Sequence, residues 1–390
     1  MKQEKKPYQR NFGLDVLRSV AIVMVLANHA YLGFFVGSGF SSWAGWNAAI
    51  SACAVFSIEF LFVLSGYLIG SIMIRSFEVQ GQWRASARDF WLRRWFRTVP
   101  NYFLFLLINA WLAALGLAQG EFSWEFMVFS QNLLGPQTKP HFFSESWSLA
   151  LDEWFYFVMP LLVALAACVL GGGQKRAFWV AAIILIVIPT ALRIFYGSKN
   201  HFFAWDEEIR RVTIVHLDAT GWGVVAAILN KWHARWWNQC KGAKALAGLG
   251  LIAFAVCAMF YFILRDWNVF MGGRFNDLAL IVAPSVGVLL CFPWLTQWRC
   301  EWSALRALVA RVGDYSYSMY LAHMPLLFLL AHGLEMANIQ MKEVVWPLFL
   351  VWLALVIMVS AGVFHGFEKP VSDLRDRFTR RVQAGPFMAG

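Results

Sequence analysis

The stretch LDVLRSVAIVMVLANHA, residues 14–30, is apolar enough to lie within a bilayer, yet it carries Arg18 and, after ten intervening residues, His29. At 3.6 residues per turn that separation is about three turns, which puts both side chains on one helix face, ~16 Å apart along the axis. Each ionisable group inside a membrane span costs about 2.5–3.5 kcal/mol on insertion scales, and such groups usually face a bundle interior or a polar cavity. A plainer reading also fits: Arg18 snorkels to the headgroups at one interface while His29 reaches the other.

Beyond this segment the same apolar character continues along the chain. Of 390 residues, 59% are hydrophobic and 14% charged, with 21 Trp and 35 Phe. That balance excludes an ordinary soluble domain and indicates a polytopic membrane protein. Apolar runs of about 20 residues fit helices rather than barrel strands, because each span must close its own backbone hydrogen bonds. The fold class is therefore all-α, a helical bundle with about ten transmembrane helices near 14–35, 52–74, 98–118, 147–170, 177–196, 212–229, 245–264, 277–295, 313–333 and 344–366.

A net charge of +10 suggests nucleic acid until the basic residues are placed. With the N-terminus inside, 24 of the 33 Lys and Arg fall in segments on that side and 7 in the opposite loops, leaving Arg18 and Arg193 within spans. The positive-inside rule places both termini in the cytoplasm and orients Arg18 toward the inner leaflet. No nucleic-acid partner is expected; the partners are membrane lipids and whatever enters the bundle. Six Cys show neither CxxC pairs nor Cys/His ligand spacing, so no metal site is expected. The basic start MKQEKKPYQR precedes a retained helix rather than a cleaved signal, and residues 1–390 are expected to form a single transmembrane domain.

Other polar residues recur where spans begin or end. FSIEFLFVLSGYLIG holds Glu59 and the small pair Ser65-Gly66, suited to close helix approach. DFWLRRWFRTVPNYF, closing the loop before the third span, sets Arg93, Arg94 and Arg97 within a turn of one another; such forks bind phosphate oxygens bidentately, or simply anchor the helix at the headgroups. SESWSLALDEWFYFVMP opens the fourth span with Ser148, Asp152 and Glu153. Either acid, on approaching His29, would hold its imidazole in one tautomer; the alternative is an ion pair with Arg that sets helix register. HLDATGWG contributes His216 and Asp218 beside Gly221 and Gly223. GDYSYSMYLAHMP places Tyr317 and His323 before Pro325, where hydroxyls between helices serve as packing contacts or as site groups and a kink is invited.

Taken together and in order, these motifs resemble the membrane-bound acyltransferase 3 family, whose first helix carries an Arg and a His ten residues apart. The resemblance continues through FLFVLSGYLIG, RRWFRTVP, SWSLALDEWFYF, HLDATGWG, GDYSYSMYLAHMP and FHGFEKP and so spans nearly the whole chain. It implies a ten-helix enzyme of the cytoplasmic (inner) membrane that moves an acyl group from cytoplasmic acyl-CoA to a hydroxyl of a carbohydrate or glycolipid. No cofactor is expected to be resident, and acetyl-CoA is the first choice of co-substrate. Carried over by position, His29 and Glu153 become the catalytic pair and Arg18, Arg93, Arg94 and Arg97 the donor-binding set. Ser148, Asp152, Asp218, Tyr317 and His323 are supporting or acceptor-side candidates. Where the family's sixth-span motif often reads Arg-x-Asp, this chain has His216-Leu217-Asp218. No SGNH-hydrolase-like module is expected, so the chain either completes the transfer itself or passes the acyl group to a separate extracytoplasmic partner.

In the resulting scheme the arginines hold the donor phosphates at the cytoplasmic mouth and the pantetheine arm reaches along the helix face to His29. There the unprotonated imidazole takes the acceptor proton. A membrane transporter of an anionic or proton-coupled substrate is the main rival, since buried Arg, His, Asp and Glu also line transport pathways; a structural or sensory membrane protein is a third.

Overall fold

A computed structural model of the chain describes residues 10–36, 38, 44–80, 83–171, 173–196, 202–265, 274–375 and 378. The basic segment before Arg10, Lys199 and most of the basic tail after Arg375 lie outside the described residues. Among the described residues there is no β-strand. Ten helices of 13 residues or more occupy the ten expected apolar runs. They are α1 (Phe12–Ala30), α2 (Ala44–Gln80), α3 (Trp83–Ala114), α4 (Ser146–Val169), α5 (Gln174–Tyr196), α6 (Asp218–Trp232), α7 (Lys241–Arg265), α8 (Ala283–Leu295), α9 (Ser303–Met336) and α10 (Met341–Val363).

Eight helical segments are long and apolar enough to cross a membrane. The other two helices differ from the expected spans for physical reasons. α3 begins well before residue 98, so the arginines of RRWFRTVP sit on the helix itself rather than in the loop before it. α6 begins at Asp218 rather than near 212, because the chain ahead of it is held elsewhere: Thr213 and Ile214 donate their backbone N–H groups to the carbonyls of Asn132 and Leu133, at 2.8 and 3.1 Å. With those donors engaged across the fold, a 3-10 turn at Thr213–Val215 leads into the helix. α9 runs through Pro325 as one helix from Ser303 to Met336.

Packing follows the small-residue signals. α2 lies against α6, and a Cβ built on Gly66 would collide with the Thr220 carbonyl oxygen and Gly223, while one on Gly223 would collide with the Val63 carbonyl oxygen. The helix backbones approach too closely for any larger residue. α1 packs between α2 and α9, and α10 closes on α9. One face of α1 is thus enclosed by α2 and α9, the helices that carry Glu59 and His323.

Candidate active site

Leu14, Arg18, Ile22, Val25 and His29 recur at helical spacing and make one stripe along α1. The stripe lines two cavities in succession. The first, a chamber of about 550 Å³, is lined by Leu14, Arg18 and Ile22; the second, a pocket of about 60 Å³, is lined by Val25 and His29. Ile58 of α2 and Tyr320 of α9 line both and form the septum between them. Arg10, Lys369 and Arg375 border the chamber, which places it toward the end of the bundle that carries the basic segments.

In the chamber, Arg18 of α1 faces the same space as Arg94 and Arg97 of α3. Arg94 lies over the Tyr156 ring with its guanidinium carbon 4.4 Å from the centroid, a cation–π contact. The Thr98 hydroxyl donates to Glu153 Oε1 at 2.6 Å, and the Tyr317 hydroxyl donates to the Thr98 carbonyl at 2.9 Å. Asp152, Ser148 and Tyr317 also line the chamber, so most of the chemistry-bearing residues expected from sequence converge here. Arg93 does not line it; one residue away on the helix, it points to another side.

At the far end, His29 does not meet Glu153 or Asp152. Its ring pairs instead with His323: His29 Nδ1 is 3.1 Å from His323 Nε2, with ring centroids 4.7 Å apart. The reason is depth. Glu153 lies two turns along α4 from Glu145, which lines the His29 pocket, and is therefore displaced ~12 Å toward the chamber. His323, which the sequence leaves as a packing or acceptor-side residue, is wholly buried behind His29. Its backbone carbonyl accepts the Trp352 indole N–H at 3.1 Å, which ties the pair to α10.

The contacts select the tautomers. His29 Nδ1 faces the Val25 carbonyl at 3.1 Å, and His323 Nδ1 faces the Met319 carbonyl at 3.2 Å. Protons on both Nδ1 atoms satisfy both carbonyls, with the His29 N–H shared between Val25 and His323 Nε2; the opposite assignment sets lone pair against lone pair twice. His29 Nε2 is then left unprotonated. The pair therefore orients His29 as a carboxylate would, without adding a negative charge.

Asp218 is not part of either cavity. Arg193 grips it with both terminal nitrogens, at 2.8 and 2.6 Å, both residues being buried, and the pair joins α5 to α6. Another buried acid of the spans, Glu59, has His216 Nε2 at 2.8 Å from its Oε1, at ion-pair distance but without the alignment of a hydrogen bond. The Ser285 hydroxyl donates to Glu59 Oε2 at 3.3 Å.

Three charged pocket residues escape sequence reasoning. Glu145, Arg210 and Arg211 line the His29 pocket. Arg210 and Arg211 belong to the charged run DEEIRR at 206–211, which has the composition of a solvated loop. Its burial arises only from tertiary packing.

A helical bundle of membrane-spanning length, with a chamber lined by charged residues beside a buried histidine pair, defines a class: integral membrane proteins with a polar site enclosed among their helices. The acyltransferase-domain family pattern matches residues 11–364, and the chain belongs to this acyltransferase 3 family. It is 24% identical over 402 residues to "Putative peptidoglycan O-acetyltransferase YrhL" of Bacillus subtilis, covering 95% of this chain and 56% of that protein. It is 26% identical over 223 residues to the peptidoglycan O-acetyltransferase OatA of Listeria monocytogenes, covering 50% of this chain and 33% of OatA. The aligned region thus spans about half, or less, of these relatives' length. No solved structure matches the chain significantly.

Proposed function

We propose that this protein is a multi-pass O-acyltransferase of the cytoplasmic membrane that moves an acetyl group from cytoplasmic acetyl-CoA to a hydroxyl of a cell-envelope carbohydrate. One observation carries the reading: a chamber of about 550 Å³ into which Arg18, Arg94 and Arg97 face meets, across Ile58 and Tyr320, the small pocket lined by His29. The chamber has the size of ordinary small-molecule sites, roughly 300–1,000 Å³. Arg18, Arg94 and Arg97 provide planar, permanently charged forks for the donor's phosphates. The pocket has room for the reacting atoms alone.

In this reading the thioester lies at the septum and the acceptor enters from the opposite side. His29 Nε2 takes the hydroxyl proton as the oxygen attacks the thioester carbonyl, which is general-base catalysis. Glu153 serves as the carboxyl that fixes Thr98 beside Arg94, rather than as the partner of the base. The relatives' names support acetyl as the group and a glycan as the acceptor class.

The test is CoA release from acetyl-CoA by the purified chain in lipid nanodiscs, with a soluble muropeptide as acceptor. His29→Ala is expected to abolish release while retaining donor binding. A transporter would instead give donor-independent flux in proteoliposomes and no CoA release from the wild-type protein.

A further inference from the structure

The proposed reaction develops negative charge on the thioester carbonyl oxygen, and neither His29 nor the chamber arginines account for its stabilisation. Within the His29 pocket, Arg210 is 3% exposed, and its Nη1 is buried with no hydrogen-bond acceptor among the described residues. A buried polar atom is nearly always partnered, so an unpartnered donor at a cavity wall implies a group that arrives later. Arg193 provides the contrast: both of its Nη atoms are engaged by Asp218, Val215 and Thr190, as in a structural arginine.

Arg210 is also held in place. Its Nε donates to Asp206 Oδ1 at 2.5 Å, and its guanidinium lies 4.8 Å from the centroid of the Trp147 ring. Its own backbone carbonyl accepts from His216 Nδ1 at 2.5 Å, and His216 Nε2 lies 2.8 Å from Glu59 Oε1. Asp206 is shared with Arg211, so one carboxylate faces two guanidinium groups and the site keeps a net positive charge. Glu145, the carboxyl lining the same pocket, does not cancel that charge, because burial lifts it to about 8.

We infer that Arg210 is a further catalytic residue, whose free N–H donates to the oxyanion of the tetrahedral intermediate; the assignment rests on the acyl-transfer reading above. The acceptor O–H gives its proton to His29 Nε2 as the new C–O bond forms, and the carbonyl π pair moves to the oxygen facing Arg210. As the C=O bond re-forms the C–S bond breaks, and the CoA thiolate leaves with the proton returned from His29. His216 acts as a positioning residue in this arrangement, which gives the His-x-Asp version of the sixth-span motif a purpose.

The test compares the wild-type chain with Arg210→Lys and Arg210→Gly in lipid nanodiscs, measuring CoA release from acetyl-CoA with a soluble muropeptide. Loss of a preorganised oxyanion donor lowers kcat by about 10²–10³-fold. The expected result is a fall of that size in kcat for both variants, with the KM for acetyl-CoA within threefold of wild type. Added methylguanidinium should restore turnover to Arg210→Gly. A kcat within threefold of wild type, a change confined to KM, or a loss that methylguanidinium leaves untouched in protein that unfolds at the wild-type temperature would each overturn the assignment. Should the Gly variant fail to fold, the kcat of Arg210→Lys decides alone. Failure of the wild-type chain to release CoA would sink the acyl-transfer reading itself, an outcome distinct from active wild type and active Arg210→Lys.

Discussion

The chamber and the His29 pocket share a wall on α1 but differ about ninefold in volume, near 550 against 60 Å³, and in how their charges are held. The chamber takes Arg18 from α1 and Arg94 and Arg97 from α3, helices that the sequence already marks with Arg18 and the RRWFR run. The pocket draws on α1, α9 and the 206–211 segment, and its groups are locked by buried contacts to one another. The difference teaches a division of labour. A roomy space into which Arg18, Arg94 and Arg97 face suits binding of a large anion, whereas a small, rigid one suits positioning of a few reacting atoms, where misplacement by 1 Å can lower the rate about 10²-fold.

Substitutions on the two sides should therefore fail in different ways, and the largest effect belongs to the pocket. His29→Ala is expected to lower kcat by about 10²–10⁴-fold, the usual contribution of a general base, with acetyl-CoA affinity by calorimetry nearly unchanged. A matching loss of donor affinity would erase the division. Next comes Asp206→Asn, which strands Arg210 and Arg211 and should cost about 3–5 kcal/mol of stability at neutral pH, read as a lowered unfolding temperature in detergent. Burial works against the Asp206 charge, but Arg210 and Arg211 outweigh it and hold the carboxyl below its ordinary 3.8. Because the folded state binds that proton less tightly than the unfolded chain, the contribution is present above pH 3.8 and lost below it. Wild type and Asp206→Asn should accordingly converge on acidification, and a constant gap would refute the ion-pair account.

Arg18→Ala probes the chamber. Removing one charged hydrogen-bond donor to phosphate is worth about 1.5–3 kcal/mol, so donor affinity should fall roughly 10–100-fold with kcat largely kept. The smallest effect is expected at the septum, where the Tyr320 hydroxyl donates to the Glu145 carbonyl at 2.9 Å and lies 2.6 Å from the Ser148 hydroxyl. Tyr320→Phe should lower turnover by no more than about tenfold, in line with about 1 kcal/mol for one hydrogen bond. A larger loss would make the septum part of the chemistry rather than of the wall.

The bundle was legible because hydrocarbon leaves few choices: each long apolar run must become a helix, and Gly66 and Gly223 mark where two of them touch. The Arg18–His29 stripe was legible for the same reason, being a matter of helical period. What joins helices far apart in sequence was not. Nothing local connects His29 with His323, 294 residues away. Asp218 read as a site residue because it is a carboxylate in a span, and only the structure supplies its partner, Arg193. The helical start of α3 decides that Arg94 and Arg97 face the chamber while Arg93 does not. Arg210 lay in a run whose composition resembles any charged loop, and its burial depends on Trp147, Asp206 and His216 arriving from elsewhere.

The septum has a physiological consequence. Two polar cavities in succession within a membrane bundle invite ions to leak down the gradient that a cell maintains across its bilayer. Ile58 offers no ligand to a passing proton, and the Tyr320 hydroxyl is already committed to the Glu145 carbonyl. On the acyl-transfer reading, this wall would keep the two cavities from joining into one continuous polar path between turnovers.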